Sequence, residues 1–277
     1  MATKTADLRS LSGAHFGESG QAAGEVLARS VIPLAIYNNH RRPEHISTGI
    51  LLRVDGRHFL ATAGHAVVQT REQHLWAGFP EIKLQRVPAL VREASRTNVL
   101  EVDALDIGLM PLPEKQLGEF TRGEFIDMDS LNVNELPDPR RDRAPDYLVY
   151  GYSAARSQIK VDPKEKVLHQ ISFHLRTYAS PPATYRAEKL DPRRHLLLTH
   201  DPTDVIVGGQ LRTTPKLHGV SGGAVVHCPP QGPPALVAMV IEHRKRRVIV
   251  ATRIGYVIAF ARHMITASSL FPTADGT

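Results

Sequence analysis

Cys228 is the only cysteine among these 277 residues, so no disulfide can form within the chain. Secreted domains are often stapled by several, so their absence points to a reducing compartment, expected to be the cytoplasm. The opening MATKTADLRS has no apolar core of signal-peptide length, and no later run approaches the roughly 18 apolar residues of a membrane span. Neither export nor a membrane partner is expected. Neither sign of charge dominates: 34 Lys+Arg against 28 Asp+Glu leave +6, a mild preference for acidic partners. The densest basic run, Arg244-Lys245-Arg246-Arg247, has no aromatic platform beside it and lies between two apolar runs, so a hairpin tip is expected there and nucleic acid is not. There is no H-E-x-x-H, no cysteine pair, no carboxylate cluster and no Gly-rich phosphate loop, so no cofactor and no metal are expected.

What is present is a core-forming composition, 42% hydrophobic, cut into short pieces. Residues 1–18 read as a polar arm, and Gly20–Ser30 as a short helix with Ser19 as its N-cap. Runs rich in β-branched and large apolar residues follow at Val31–Tyr37, Thr48–Val54, His58–Ala63, Glu81–Val87, Asn98–Val102 and Ile107–Leu112, with Asp55-Gly56 as a turn. Prolines 137, 139 and 145 and the Asp138–Arg143 charges mark a linker within 121–145. A second set of runs covers Tyr147–Tyr152, Val167–Tyr178, His195–Thr199, Ala224–Cys228, Ala235–Glu242 and Val248–Arg253, the last two pairing as a hairpin. Ile254–Ile265 has helical spacing. The pattern predicts an all-β protein. Its expected units are an arm and helix (1–30), a first β domain (31–120), a linker or insertion (121–145) and a second β domain with a C-terminal helix (146–277).

Three segments carry chemistry. Gly219-Val220-Ser221-Gly222-Gly223 offers an exposed hydroxyl among glycines, whose backbone N–H groups can converge on a developing oxyanion. Thr62-Ala63-Gly64-His65 ends an apolar strand entered through Ser47-Thr48-Gly49, and offers a base. Leu105-Asp106-Ile107 offers a carboxylate to orient that base, with Asp103 as a competitor that strand alternation disfavours. The glycine–serine motif also fits the elbow of α/β-hydrolases, but here a strand ending in Pro229-Pro230 follows the serine where that fold needs a helix. His195/His200 and His169/His174 are spaced by five and read as ordinary strand residues, and Cys228 as a buried thiol.

In the order His, Asp, Ser, these motifs resemble the trypsin-like (chymotrypsin-fold) serine peptidases, especially compact bacterial members related to the HtrA proteases but without a PDZ domain. The resemblance covers roughly residues 31–262. It implies two six-stranded Greek-key β-barrels with the site between them. His65, Asp106 and Ser221 would form the catalytic triad, and the Gly219 and Ser221 N–H groups the oxyanion hole. A protein or peptide substrate would pair with the Leu236–His243 edge, and Thr214, Pro215, His218, Val240, Ile241, Glu242 and His243 would contact it. His218, His243 and the Arg244–Arg247 tip are compatible with acidic residues in that substrate. Gly64 and Gly108 replace small residues of the family signatures. Val220 stands where zymogen-activated members carry an aspartate, which implies a site that is preformed or ordered by substrate, ligand or a regulatory partner. The rival expectation is a protease-fold module that binds peptides without cleaving them.

Overall fold

The computed structural model describes residues 5–6, 16–40, 42–78, 84–87, 93–94, 105–114, 117, 123–131, 146–154, 172–207, 210–212, 216–229, 233–244 and 247–267. The first half of the chain forms β1 (Thr5–Ala6), α1 (Phe16–Ser30), β2 (Val31–Tyr37), β3 (Pro43–Val54), β4 (Arg57–Ala63), α2 (Gly64–Gln69), β5 (Trp76–Ala77), β6 (Gln85–Arg86), β7 (Glu93–Ala94), β8 (Ile107–Pro111) and β9 (Phe125–Asp127). The second half forms β10 (Asp146–Tyr152), β11 (Ser172–Ala179), α3 (Pro182–Glu188), β12 (His195–Val207), β13 (Gln210–Arg212), β14 (Ala224–His227), β15 (Ala235–Arg244), β16 (Val248–Arg253) and α4 (Ile254–Ala267).

The chain is mainly β, with a closed barrel, a second sheet and short helices. The barrel runs β11-β10-β14-β15-β16-β12 and closes through the β11–β12 pairing, with β13 added beside β12. The other sheet has nine strands, its main path being β6-β5-β2-β3-β4-β8-β7, and its ends do not meet among the described residues. The segment expected as linker begins with β9, which lies parallel to β3 in this sheet. Its proline-rich remainder, like the expected strand at Asn98–Val102 and parts of those at Glu81–Val87 and Val167–Tyr178, lies outside the described residues.

Local chemistry explains the sharpest turns. Asp55 (φ 46°) and Gly56 (φ 71°) both take the left-handed conformation and pair Val54 with Arg57, the two-residue turn that suits the right-handed twist of a hairpin. β15 and β16 pair as their flanking of the basic tip predicts. Helix α4 buries Ile254, Val257, Ile258, Ala261 and Met264, one face of a 3.6-residue repeat. Helix α1 begins earlier than expected, at Phe16, so Ser19 lies within it and is not its cap. One apolar cluster joins both sheets to both long helices, with Leu27 from α1, Phe59 and Ile107 from the first sheet, Tyr150 and Met239 from the barrel, and Val257 from α4. This shared core sets the edges of β4 and β8 against the loop before β14. Among the described residues, no helix is long and apolar enough to cross a membrane.

Candidate active site

The His65–Asp106 corner is built by two strand ends. β4 and β8 are antiparallel with Ala63 opposite Ile107, and the ladder runs one step further, where Gly64 N–H donates to the Asp106 carbonyl at 2.7 Å. Asp106 is left-handed (φ 47°), a conformation that a short polar side chain tolerates better than most. That twist turns its carboxylate back toward the start of α2. One oxygen accepts from His65 N–H at 2.7 Å, and the other lies 2.7 Å from His65 Nδ1. The two glycines of this corner have a steric reason. A Cβ on Gly64 would lie 3.0 Å from Asp106 Oδ1, and one on Gly108 would meet Val67 of α2 at 2.5 Å. The corner is therefore a close approach of α2 to β8, with the imidazole still 43% exposed. Asp106 raises the His65 pKa first through its hydrogen bond and further by its charge; desolvation opposes this, and Glu242 adds to the rise. Asp103 lies outside the described residues.

The Ser221 loop is held by neutral groups. From the first sheet, Thr48 N–H and Ser47 Oγ both donate to the Ser221 carbonyl, at 2.8 and 2.6 Å, and Thr48 Oγ1 donates to the Gly219 carbonyl at 2.8 Å. Thr62 Oγ1 in turn donates to the Thr48 carbonyl at 2.7 Å. Within the barrel, Gly222 N–H donates to the Val240 carbonyl at 2.6 Å, and Val240 N–H to the Gly223 carbonyl at 2.8 Å. The peptide planes before Gly219 and before Ser221 have their carbonyls engaged as well, by Ala154 N–H at 2.7 Å and Gly223 N–H at 2.7 Å. These contacts fix the direction of the Gly219 and Ser221 N–H groups, and among the described residues neither donates to a protein acceptor. Gly219 and Gly222 both sit at φ 86°. A Cβ on Gly222 would lie 1.8 Å from the Thr48 carbonyl, so only glycine fits against the first sheet there.

The two parts meet at a seam, where Thr252 Oγ1 of β16 donates to the Leu105 carbonyl, next to Asp106, at 2.5 Å. The Ser221 hydroxyl donates to the Ile241 carbonyl at 3.1 Å, so its proton is not directed at the imidazole in this arrangement. Strand β15 is paired with β14 over Ala235–Met239 and with β16 over Ala238–Arg244, and Val240 is occupied by Gly222 and Gly223. The edge expected for substrate over Leu236–His243 is thus reduced to Ile241–His243 on the β14 side. Glu242, His243 and His218 are exposed, whereas Val240 and Ile241 are buried. Thr214 and Pro215 lie outside the described residues.

Sequence reasoning missed the supports. His45 is buried against the loop: a Cβ on Gly219 would meet its ring at 2.7 Å. Its Nε2 lies 2.6 Å from the Ser47 carbonyl, and burial lowers its pKa to about 4, against the pull of that hydrogen bond. Ser47, Thr48 and Thr62 were read only as part of the lead-in to His65; in the structure all three are buried. Among the described residues, no group of three or more His, Cys, Asp or Glu is placed to hold a metal ion.

No family model matches the chain. No curated protein matches it either. Among solved structures, it is similar to one described as showing that aromatic interactions drive the coupled folding and binding of the intrinsically disordered Sesbania mosaic virus VPg protein. The identity is 15%, the TM-score 0.44, and the match covers 84% of this chain and 90% of that one. A score at that level carries no inference about chemistry.

Proposed function

We propose that the chain is a serine endopeptidase of the trypsin-like type, working on protein or peptide substrates. The nine-stranded sheet would be the counterpart of the first Greek-key barrel, and the seam with the closed barrel would be the substrate groove. Support comes above all from an imidazole–carboxylate pair at 2.7 Å together with a serine loop in which, among the described residues, neither the Ser221 nor the Gly219 N–H donates to a protein acceptor. Asp106 accepts from Nδ1–H and so leaves Nε2 bare as the base.

In the first step the Ser221 hydroxyl turns from the Ile241 carbonyl toward His65. Its oxygen bonds to the substrate carbonyl carbon as Nε2 takes the proton, and the oxyanion accepts from the Gly219 and Ser221 N–H groups. The C–N bond then breaks, with His65 returning the proton to the leaving amine. Water, deprotonated by the same imidazole, hydrolyses the acyl-enzyme.

A fluorophosphonate probe should label Ser221, as read by peptide mass spectrometry, and Ser221→Ala should abolish the labelling. Labelling that persists in Ser221→Ala would remove the assignment. One observation favours a second reading, a peptide-binding module without turnover: the Ser221 hydroxyl is already engaged by Ile241. Peptide binding together with no acyl-enzyme from any ester would select it.

A further inference from the structure

Strand β16 is apolar from Val248 to Ala251 and then carries Thr252, which is fully buried. Its backbone lies in the ladder between His195 of β12 and Met239 of β15. A valine of the same shape would serve that ladder equally well, and a buried hydroxyl costs free energy unless it is paired. Here the hydroxyl finds its acceptor outside the barrel, at the Leu105 carbonyl, 2.5 Å away and 147 positions back in the chain. Leu105 itself packs against the apolar cluster that both sheets share.

The place of that carbonyl gives the bond its consequence. Asp106 follows it with φ 47°, a left-handed conformation that a residue with a side chain keeps only where its surroundings over-determine it. Two peptide planes flank its Cα, and each is tied from a different sheet. Gly64 N–H holds the carbonyl of the plane after Asp106 at 2.7 Å, and Thr252 holds the plane before it. With both planes fixed, the Cα–Cβ bond of Asp106 has one direction, which lets its two oxygens meet His65 N–H and His65 Nδ1, each at 2.7 Å. Freed on the Thr252 side, the Leu105–Asp106 peptide could relax toward negative φ and turn the carboxylate away from the imidazole. Thr252 also lies opposite Met239, one residue before Val240, which holds Gly222 and Gly223. The same pair of strands thus grips the serine loop and the backbone beside the carboxylate.

Resting on the serine endopeptidase reading, we infer that Thr252 is a positioning residue, whose hydroxyl reaches across the seam and holds the left-handed backbone that aims the Asp106 carboxylate at His65. The barrel that carries Ser221 thereby helps to orient the base on the other side of the seam.

The test compares Thr252→Val, which keeps the shape and removes the hydroxyl, with Thr252→Ser, which keeps the hydroxyl. The first readout is the His65 pKa, followed by NMR titration and assigned by the signal lost in His65→Gln. Asp106 raises it through its hydrogen bond and its charge, Glu242 adds to the rise, and desolvation opposes them. It should fall in Thr252→Val and return in Thr252→Ser. In peptide hydrolysis kcat should drop on the order of 10- to 100-fold with KM little changed, and Thr252→Val should cost nothing further in an Asp106→Asn background. A hydroxyl with a merely structural role would lower the urea midpoint and leave the His65 pKa of the folded chain in place. That result, in a chain that takes the fluorophosphonate label, would overturn this inference and leave the peptidase reading standing. The titration needs no turnover, so a chain that takes no label still answers: a fall in Thr252→Val supports the strut, and an unmoved value overturns it. Where Thr252→Val folds too little to titrate, Thr252→Ala takes its place with the same two outcomes.

Discussion

The two halves of the site are secured in opposite ways. The His65–Asp106 half depends on a contact between an imidazole at the start of α2 and a carboxylate just before β8, standing partly in solvent. The Ser221 half depends on no charge: its carbonyls are tied by hydroxyls and N–H groups of both sheets, and its glycines fit where no side chain could. The first half should therefore answer to protonation and to loss of charge, and the second to volume and to lost hydrogen bonds. The second half joins the nine-stranded sheet to the barrel through Ser47 and Thr48, whereas the bond beside the first half is that of Thr252 to the Leu105 carbonyl, so damage to the Ser221 loop should reach stability as well as activity.

Removing the reacting groups gives the largest effect. Ser221→Ala or His65→Ala should each lower kcat by about 10⁶, as in another serine protease, with the double variant little worse. Additive losses in peptide-hydrolysis assays would show that the halves do not act as one unit. Asp106→Asn should cost about 10⁴ in kcat, again by analogy. Because Asp106 holds the His65 pKa above its usual 6.5, activity in the unaltered chain should rise with pH through a value above 6.5, and Asp106→Asn should move that limb downward. An unmoved limb would detach the carboxylate from the imidazole.

Next in size is Gly222→Ala. With φ at 86° and the Thr48 carbonyl in the way, it should cost about 4 kcal/mol or more in urea unfolding, with no matching change at the His65 corner. Acid should then separate the halves by stability. His45 titrates near 4 when folded and near 6.5 when unfolded, so the unfolded chain takes up the proton first. The stability this histidine contributes is present above 6.5 and lost as pH falls to about 4, roughly 3 kcal/mol in all. His45→Gln should flatten that part of the profile. The smallest expected effect is Thr48→Val, about 2 kcal/mol, since it leaves Gly219 O and Tyr152 N without their Thr48 Oγ1 partner. A neutral result would mean that the Thr48 hydroxyl does not help to hold the loop.

Much of this was readable in advance where the signal is local. β2 and β16 match their predicted spans because runs such as Val31–Tyr37 and Val248–Arg253 suit a pleated, half-buried surface in any context. Asp55-Gly56 announced its turn through φ angles that few residue pairs accept. Helix α2 went unseen, since Gly64–Gln69 is too short for a periodic pattern. The start of α1 was misplaced because Ser19 looks like a cap whether or not the helix begins there.

For the candidate site, the order of residues was sufficient to nominate His65, Asp106 and Ser221, because each sits in a recognisable strand end or glycine turn. That order could not bring Thr48 under Gly219, press His45 against the same glycine, or bring the His200 ring beside that of His243. Those contacts join residues 171, 174 and 43 positions apart, and no pattern along the backbone encodes which strands become neighbours. Pairing of β12 with β16 and packing of β3 beneath the serine loop created them, since burial of a shared apolar core is a property of the whole chain and not of any segment.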